Sequence, residues 1–145
     1  MALNSFYIVG REKWGALPPT IKVALRRPIL FVKTIVLSEE RKCYNEDECF
    51  EQLRDLQIRD MRSGLTDIRA NFFIADDGRV YQGRGWFNTA PNNPNSHLTK
   101  DLLVIAHLGG SPDEEFRDEL MRLKMHLLDF GMKKKYVAKF HSIVD

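Results

Sequence analysis

The sequence predicts an α/β fold: a central mixed β-sheet flanked by about three helices. Three observations carry it. Two strand-sized apolar runs, Ile29–Ser38 and Leu102–Leu108, lie far apart in the chain. Between them, Asp76-Asp77-Gly78 separates two short strand patterns. Two further stretches, 45–61 and 112–130, repeat apolar residues at helical spacing.

Each element has a local reason. Pro18-Pro19 followed by Ile21 and Leu25 predicts a short first helix that ends before Pro28. Ile29–Ser38 is β-branched and apolar on both faces, the pattern of a central strand covered on both sides. Asn45 can cap a helix, with Glu48 three positions on, and Cys49, Leu53, Leu56 and Met61 fall roughly on one face. Ser63-Gly64 stops that helix. Asn71–Ala75 and Arg79–Gln82 read as strands of a hairpin turning at Asp76-Asp77-Gly78. In the last helix Ser111 caps, Pro112 takes the first position and Glu114 completes a capping box. Phe116, Leu120, Leu123, Leu127 and Phe130 form its apolar stripe, read as core packing, and Gly131 ends it.

At 145 residues the chain suits one domain, 1–145, around one core. Its 43% apolar and 29% charged content are ordinary for a globular protein. A net charge of +2 is too small to argue for nucleic acid or an acidic membrane surface. Lys133, Lys134 and Lys135 read as a solvated helix end that complements the helix dipole. No apolar run reaches the roughly 20 residues of a spanning helix. Met1-Ala2-Leu3-Asn4 carries no signal-peptide pattern, so the expectation is either a mature ectodomain with an added start or an export signal outside the sequence. Cys43 and Cys49 have the wrong spacing for a CxxC redox or zinc motif. Two free thiols or a local disulfide remain. The disulfide would contribute roughly 2 kcal/mol and place the domain in an oxidising compartment.

Four segments in order resemble the peptidoglycan recognition protein family, which shares its fold with type-2 N-acetylmuramoyl-L-alanine amidases. They are Arg11-Glu12-Lys13-Trp14-Gly15-Ala16, Cys43-Tyr44-Asn45-Glu46-Asp47-Glu48-Cys49, Asp67-Ile68-Arg69-Ala70-Asn71-Phe72, and the most specific, Asp77-Gly78-Arg79-Val80-Tyr81-Gln82-Gly83-Arg84-Gly85-Trp86. The resemblance covers residues 11 to about 141. It implies a mixed sheet, three main helices, a disulfide between Cys43 and Cys49, and an L-shaped groove that holds muropeptide.

It also implies what is missing. The family's amidases hold zinc with a His on the central strand, a second His near the C-terminus and a Cys after it, leaving one position open for water. A Tyr assists. Here Val36 stands at the first His and Ala70 at the Tyr. His141 matches the second His, and the sequence ends at Asp145 before the Cys. Two aliphatic side chains cannot ligate or assist, so neither zinc nor any other cofactor is expected, and no amidase activity. His107 and His126 read as structural or surface histidines.

The groove is altered as well. Members that recognise diaminopimelate-type peptidoglycan carry a Gly-Trp pair before the Asp-Ile motif and an Arg in Gly-Arg-Gly-Trp that can grip the extra carboxylate. Gly64-Leu65 holds the pair without the Trp. Arg84 keeps the Arg position, where it either grips that carboxylate or forms a surface ion pair, and Trp86 closes the motif. Arg69 adds a long cation near the groove floor, and Ala70 removes an aromatic wall. The loop 87–100, with Pro91, Pro94 and His97, is longer than usual and stiff at the groove edge. The expected function is a non-enzymatic regulator of peptidoglycan sensing in innate immunity. It resembles the ectodomains of membrane-anchored insect members and would pair with a related receptor, with weak or no muropeptide binding. The competing readings are a receptor for diaminopimelate-type peptidoglycan and, remotely, a zinc amidase.

Overall fold

A computed structural model describes residues 7–37, 40–89, 100–109 and 114–143. In chain order the elements are β1 (Ile8–Val9), β2 (Val23–Ala24), β3 (Ile29–Leu37), α1 (Glu46–Arg62), β4 (Phe72–Ala75), β5 (Val80–Gln82), β6 (Asn88–Thr89), β7 (Leu102–Leu108), α2 (Glu114–Lys133) and β8 (Val137–Ile143). Six strands form one sheet in the order β1-β5-β4-β7-β3-β8, and β2 pairs with β6 in a second, two-stranded sheet. The large sheet is mixed, as the alternation of patterns predicts. β4 and β5 run antiparallel through the Asp-Asp-Gly turn, while β7 pairs parallel with both β3 and β4.

Pleating sends alternate residues to opposite faces, and each face has its own core. Under α1, Leu53 and Leu56 meet Phe73, Ala75, Tyr81, Ala106 and Leu108. Under α2, Leu123, Leu127 and Leu128 meet Val32, Phe72, Ile74, Leu103 and Ile105. The disulfide between Cys43 and Cys49 is formed, both sulfurs buried in the α1 layer. It pins the segment entering α1 to the first turn of that helix. Asn45 caps the helix through Glu48 N at 2.9 Å, and Glu48 Oε1 in turn accepts from Tyr44 N. Ser63 and Gly64 end it, with Gly64 at φ 112°.

Three expectations are corrected. The short helix at 21–25 is absent. β2 stands there, paired with β6 in the register Val23↔Thr89, and the next amides donate to Phe87 O and Lys100 O. Flanking prolines and these non-local partners outweigh the local helical spacing. Two long helices, rather than three, occur among the described residues. Finally, β3 is central but not covered throughout: Ile29, Val32 and Leu37 are buried, whereas Leu30 is 45% and Val36 43% exposed. On the α1 side, that helix packs chiefly over β4, β5 and the end of β7, which leaves Phe31 36% exposed, and on the α2 side the buried cluster takes in Ile29 and Val32 but not Val36.

At its other end α2 departs from the sequence reading too. Gly131 lies inside the helix, which runs on to Lys133, and Lys135 at φ 65° makes the left-handed turn out of it. Gly131 is required by packing, since a Cβ there would sit 2.7 Å from the Trp86 ring. The expected caps Ser111 and Pro112 lie outside the described residues.

Candidate functional site

The four signature segments come together as one framework. Arg11 forks onto the buried Asp67 carboxylate, at 2.7 Å and 3.1 Å, and also donates to Gly83 O and Leu17 O. Asp67 further accepts from Gln57 Nε2 and Ile68 N. Trp14, fully buried, donates its indole N–H to Gln82 O. Gly83 is needed because a Cβ there would lie 2.2 Å from Ala70 O. The sequence reading missed the Arg11–Asp67 pair. Its signal was the presence of one cation and one carboxylate in separate signature segments.

Arg84 lies in this interior, 4% exposed. It donates to Ile68 O at 2.7 Å and to Asn71 Oδ1 at 3.0 Å. Burial pushes its pKa down to about 10, against the attraction of Asp67 and Asp60. The guanidinium expected to face a ligand carboxylate therefore meets the protein's own acceptors. Ala70 is fully buried, and Trp86 packs against Phe72, Tyr136 and Phe130. Neither lines an open surface. His97 lies outside the described residues.

An open polar depression lies beside α1 instead, about 340 Å³, lined by Glu40, Arg41, Gln52, Asp55 and Arg59. Arg59 grips Glu40 with both terminal nitrogens, at 2.7 Å and 3.1 Å, and that hydrogen bond holds the Glu40 carboxyl below its ordinary pKa. Arg69 is drawn to the same end of α1. It forms a bidentate pair with Asp60, 2.7 Å at the shortest, so its charge is answered rather than free on a groove floor. Leu65 N donates to Asp60 O, which fixes the Gly64-Leu65 turn beside this pair. Sequence reasoning nominated Arg69, Gly64 and Leu65 but missed Asp60, Glu40 and Arg59, because a charge on a helix says nothing of the loop it will face.

The positions implied for zinc do not fit the ion. Phe31 pairs with His141 across β3 and β8, and Val36 pairs with His107 across β3 and β7. Phe31 and Val36 differ by an odd number, so Val36 and His141 face opposite sides of the sheet. They are also about 16 Å apart along the strand, at roughly 3.3 Å per residue. Among the described residues no group of three or more His, Cys, Asp or Glu is placed to hold a metal ion. His107, fully buried, pairs with Asp76 at 2.7 Å and stacks on Phe116, and Lys42 approaches the same carboxylate at 3.6 Å. This pair joins the end of β7 to the hairpin.

No protein-family model matches the chain. It is 37% identical over 145 residues to peptidoglycan recognition protein 1 of Rattus norvegicus, covering 99% of this chain and 78% of that protein. Its fold superposes on the crystal structure of the ectodomain of the Drosophila transmembrane receptor PGRP-LCa with TM-score 0.82 at 27% identity, over 94% of this chain and 83% of the other. Peptidoglycan recognition protein-LE, solved in complex with tracheal cytotoxin, a monomeric diaminopimelic acid-type peptidoglycan, gives TM-score 0.79 at 21% identity over 94% and 80%, a likeness of fold.

Proposed function

The chain belongs to the peptidoglycan recognition protein family, and from that premise we propose that it is a non-catalytic regulator of peptidoglycan sensing. It acts outside the cell, as a peptidoglycan recognition domain of innate immunity that pairs with a related receptor and holds muropeptide weakly or not at all. One observation carries this reading: Val36 and Ala70 offer no ligand and no hydroxyl, and the remaining candidate, His141, faces away from Val36. Arg84 supports it, since its cation is spent on Ile68 O and Asn71. The oxidising compartment agrees with the Cys43–Cys49 bridge.

The second reading, a receptor for diaminopimelate-type peptidoglycan, is favoured by the polar depression, where Arg41 and Arg59 could meet a peptide carboxylate. A pair of measurements separates the two. The domain is titrated calorimetrically with a diaminopimelate-type muropeptide, and sedimented with a related family receptor, with and without that muropeptide. The regulator gives little heat alone and a complex with the receptor. Micromolar or tighter binding by the domain alone, lost in Arg59→Ala, supports the receptor instead. Absence of any complex removes the regulator. Zinc-dependent release of the stem peptide from muropeptide would make the chain an amidase.

A further inference from the structure

We propose that the end of the domain where α2 finishes and β3 begins docks on the surface of an anionic phospholipid bilayer. The net charge of +2 conceals an uneven distribution. Backbone hydrogen bonds draw distant segments together here: Arg26 N to Lys100 O, Leu25 N to Phe87 O, and Ile29 N to Tyr136 O. They gather five cations, Arg26, Arg27, Lys100, Lys134 and Lys135. Asp101, 3.6 Å from Arg26, is their ion-pair partner among the described residues. Five cations against one carboxylate leave four positive charges at this end, so the rest of the chain sums to −2.

Exposed apolar groups alternate with these charges. The Arg27 guanidinium lies 4.4 Å from the centre of the Phe87 ring, and Lys134 Nζ 5.8 Å from that of Phe130. Phe87 is 43% exposed and Phe130 36%. Tyr136, edge-on to Phe87 at 5.0 Å, holds the cluster to the core. A soluble polyanion would use the cations and leave the apolar groups in water. A bilayer uses both: phosphates and serine carboxylates meet the cations, and the aromatic groups reach the acyl boundary. Four net charges beside an anionic leaflet give a reversible, salt-sensitive attachment.

The test is co-sedimentation of the whole chain with vesicles of phosphatidylcholine alone and of equal parts phosphatidylcholine and phosphatidylserine, at low and raised salt. Binding to the mixed vesicles is expected, weakened by salt and by dilution of the phosphatidylserine. Arg27→Glu with Lys134→Glu should lower the partition coefficient at least about tenfold. Lys13→Glu, an exposed cation in the turn after β1, should leave it unchanged. Circular dichroism checks that the double variant is folded, and Lys135→Glu replaces it if it is not. The proposal is overturned by absence of binding, by equal binding of the reversed and native chains, or by capture on soluble polyphosphate without binding to vesicles.

Discussion

Arg84 keeps a charge inside the protein with hydrogen bonds to one carbonyl and one amide oxygen, while Asp67 and Asp60 attract it at longer range. Asn71 is held in turn by Gly85 O and Asn88 O. Replacing the guanidinium leaves a void and takes the donor from Ile68 O, a loss of about 1–3 kcal/mol, while Asn71 Oδ1 keeps the Val104 amide as donor at 2.8 Å. Arg84→Ala is therefore expected to lower folding stability by about 2–4 kcal/mol, read as a lower urea midpoint. If stability held and only muropeptide affinity fell, Arg84 would be a ligand residue. The sequence named this position through its signature segment but could not say which way the side chain points. That direction is set by Gly83, whose missing Cβ lets the chain press onto Ala70 O and turn the next side chain inward.

Among the elements, α2 shows where local rules yield to packing. Read alone, Gly131 is a helix stop. In the structure it is an interior helical residue, and its hydrogen marks where Trp86 and Val137 touch the helix, 2.7 Å and 2.9 Å from a built Cβ. Alanine there gains about 1 kcal/mol of helix propensity, yet it forces the Trp86 ring away from Phe72, 4.5 Å from it. Overpacking of this kind costs about 1–3 kcal/mol, so Gly131→Ala should lower the melting temperature. A rise would mean that propensity outweighs the contact. Strands β4, β5 and β7 and helix α1 were legible because pattern, cap and turn agreed locally. The supposed helix at 21–25 was not, because β2 is made by its pairing with β6, more than sixty residues on. The partial exposure of β3 was hidden for a similar reason: an apolar run cannot tell how far a helix extends over it.

At the scale of the whole molecule, sheet parity decides what can be assembled. The order of the signature segments predicts the fold, and the residue types at Val36 and Ala70 lack the donor groups that the resemblance assigns to those positions. Neither reveals which face of the sheet a strand residue takes, because one bulge inverts it, and β3 shifts register against β8 between Ile29 and Phe31. Beyond that shift, Phe31 and His141 lie on the α1 side, while Val36 and His107 lie on the α2 side. Restoring an imidazole at Val36 would therefore not restore a site shared with His141. Zinc needs donors converging at about 2.0–2.3 Å, and these two would approach from opposite faces, about 16 Å apart by strand rise. Val36→His is expected to leave zinc affinity, measured by calorimetry at neutral pH, unchanged by a further His141→Ala. If the single variant bound zinc tightly and the second substitution abolished it, both imidazoles would share one face, and the register between β3 and β8 described above would be wrong.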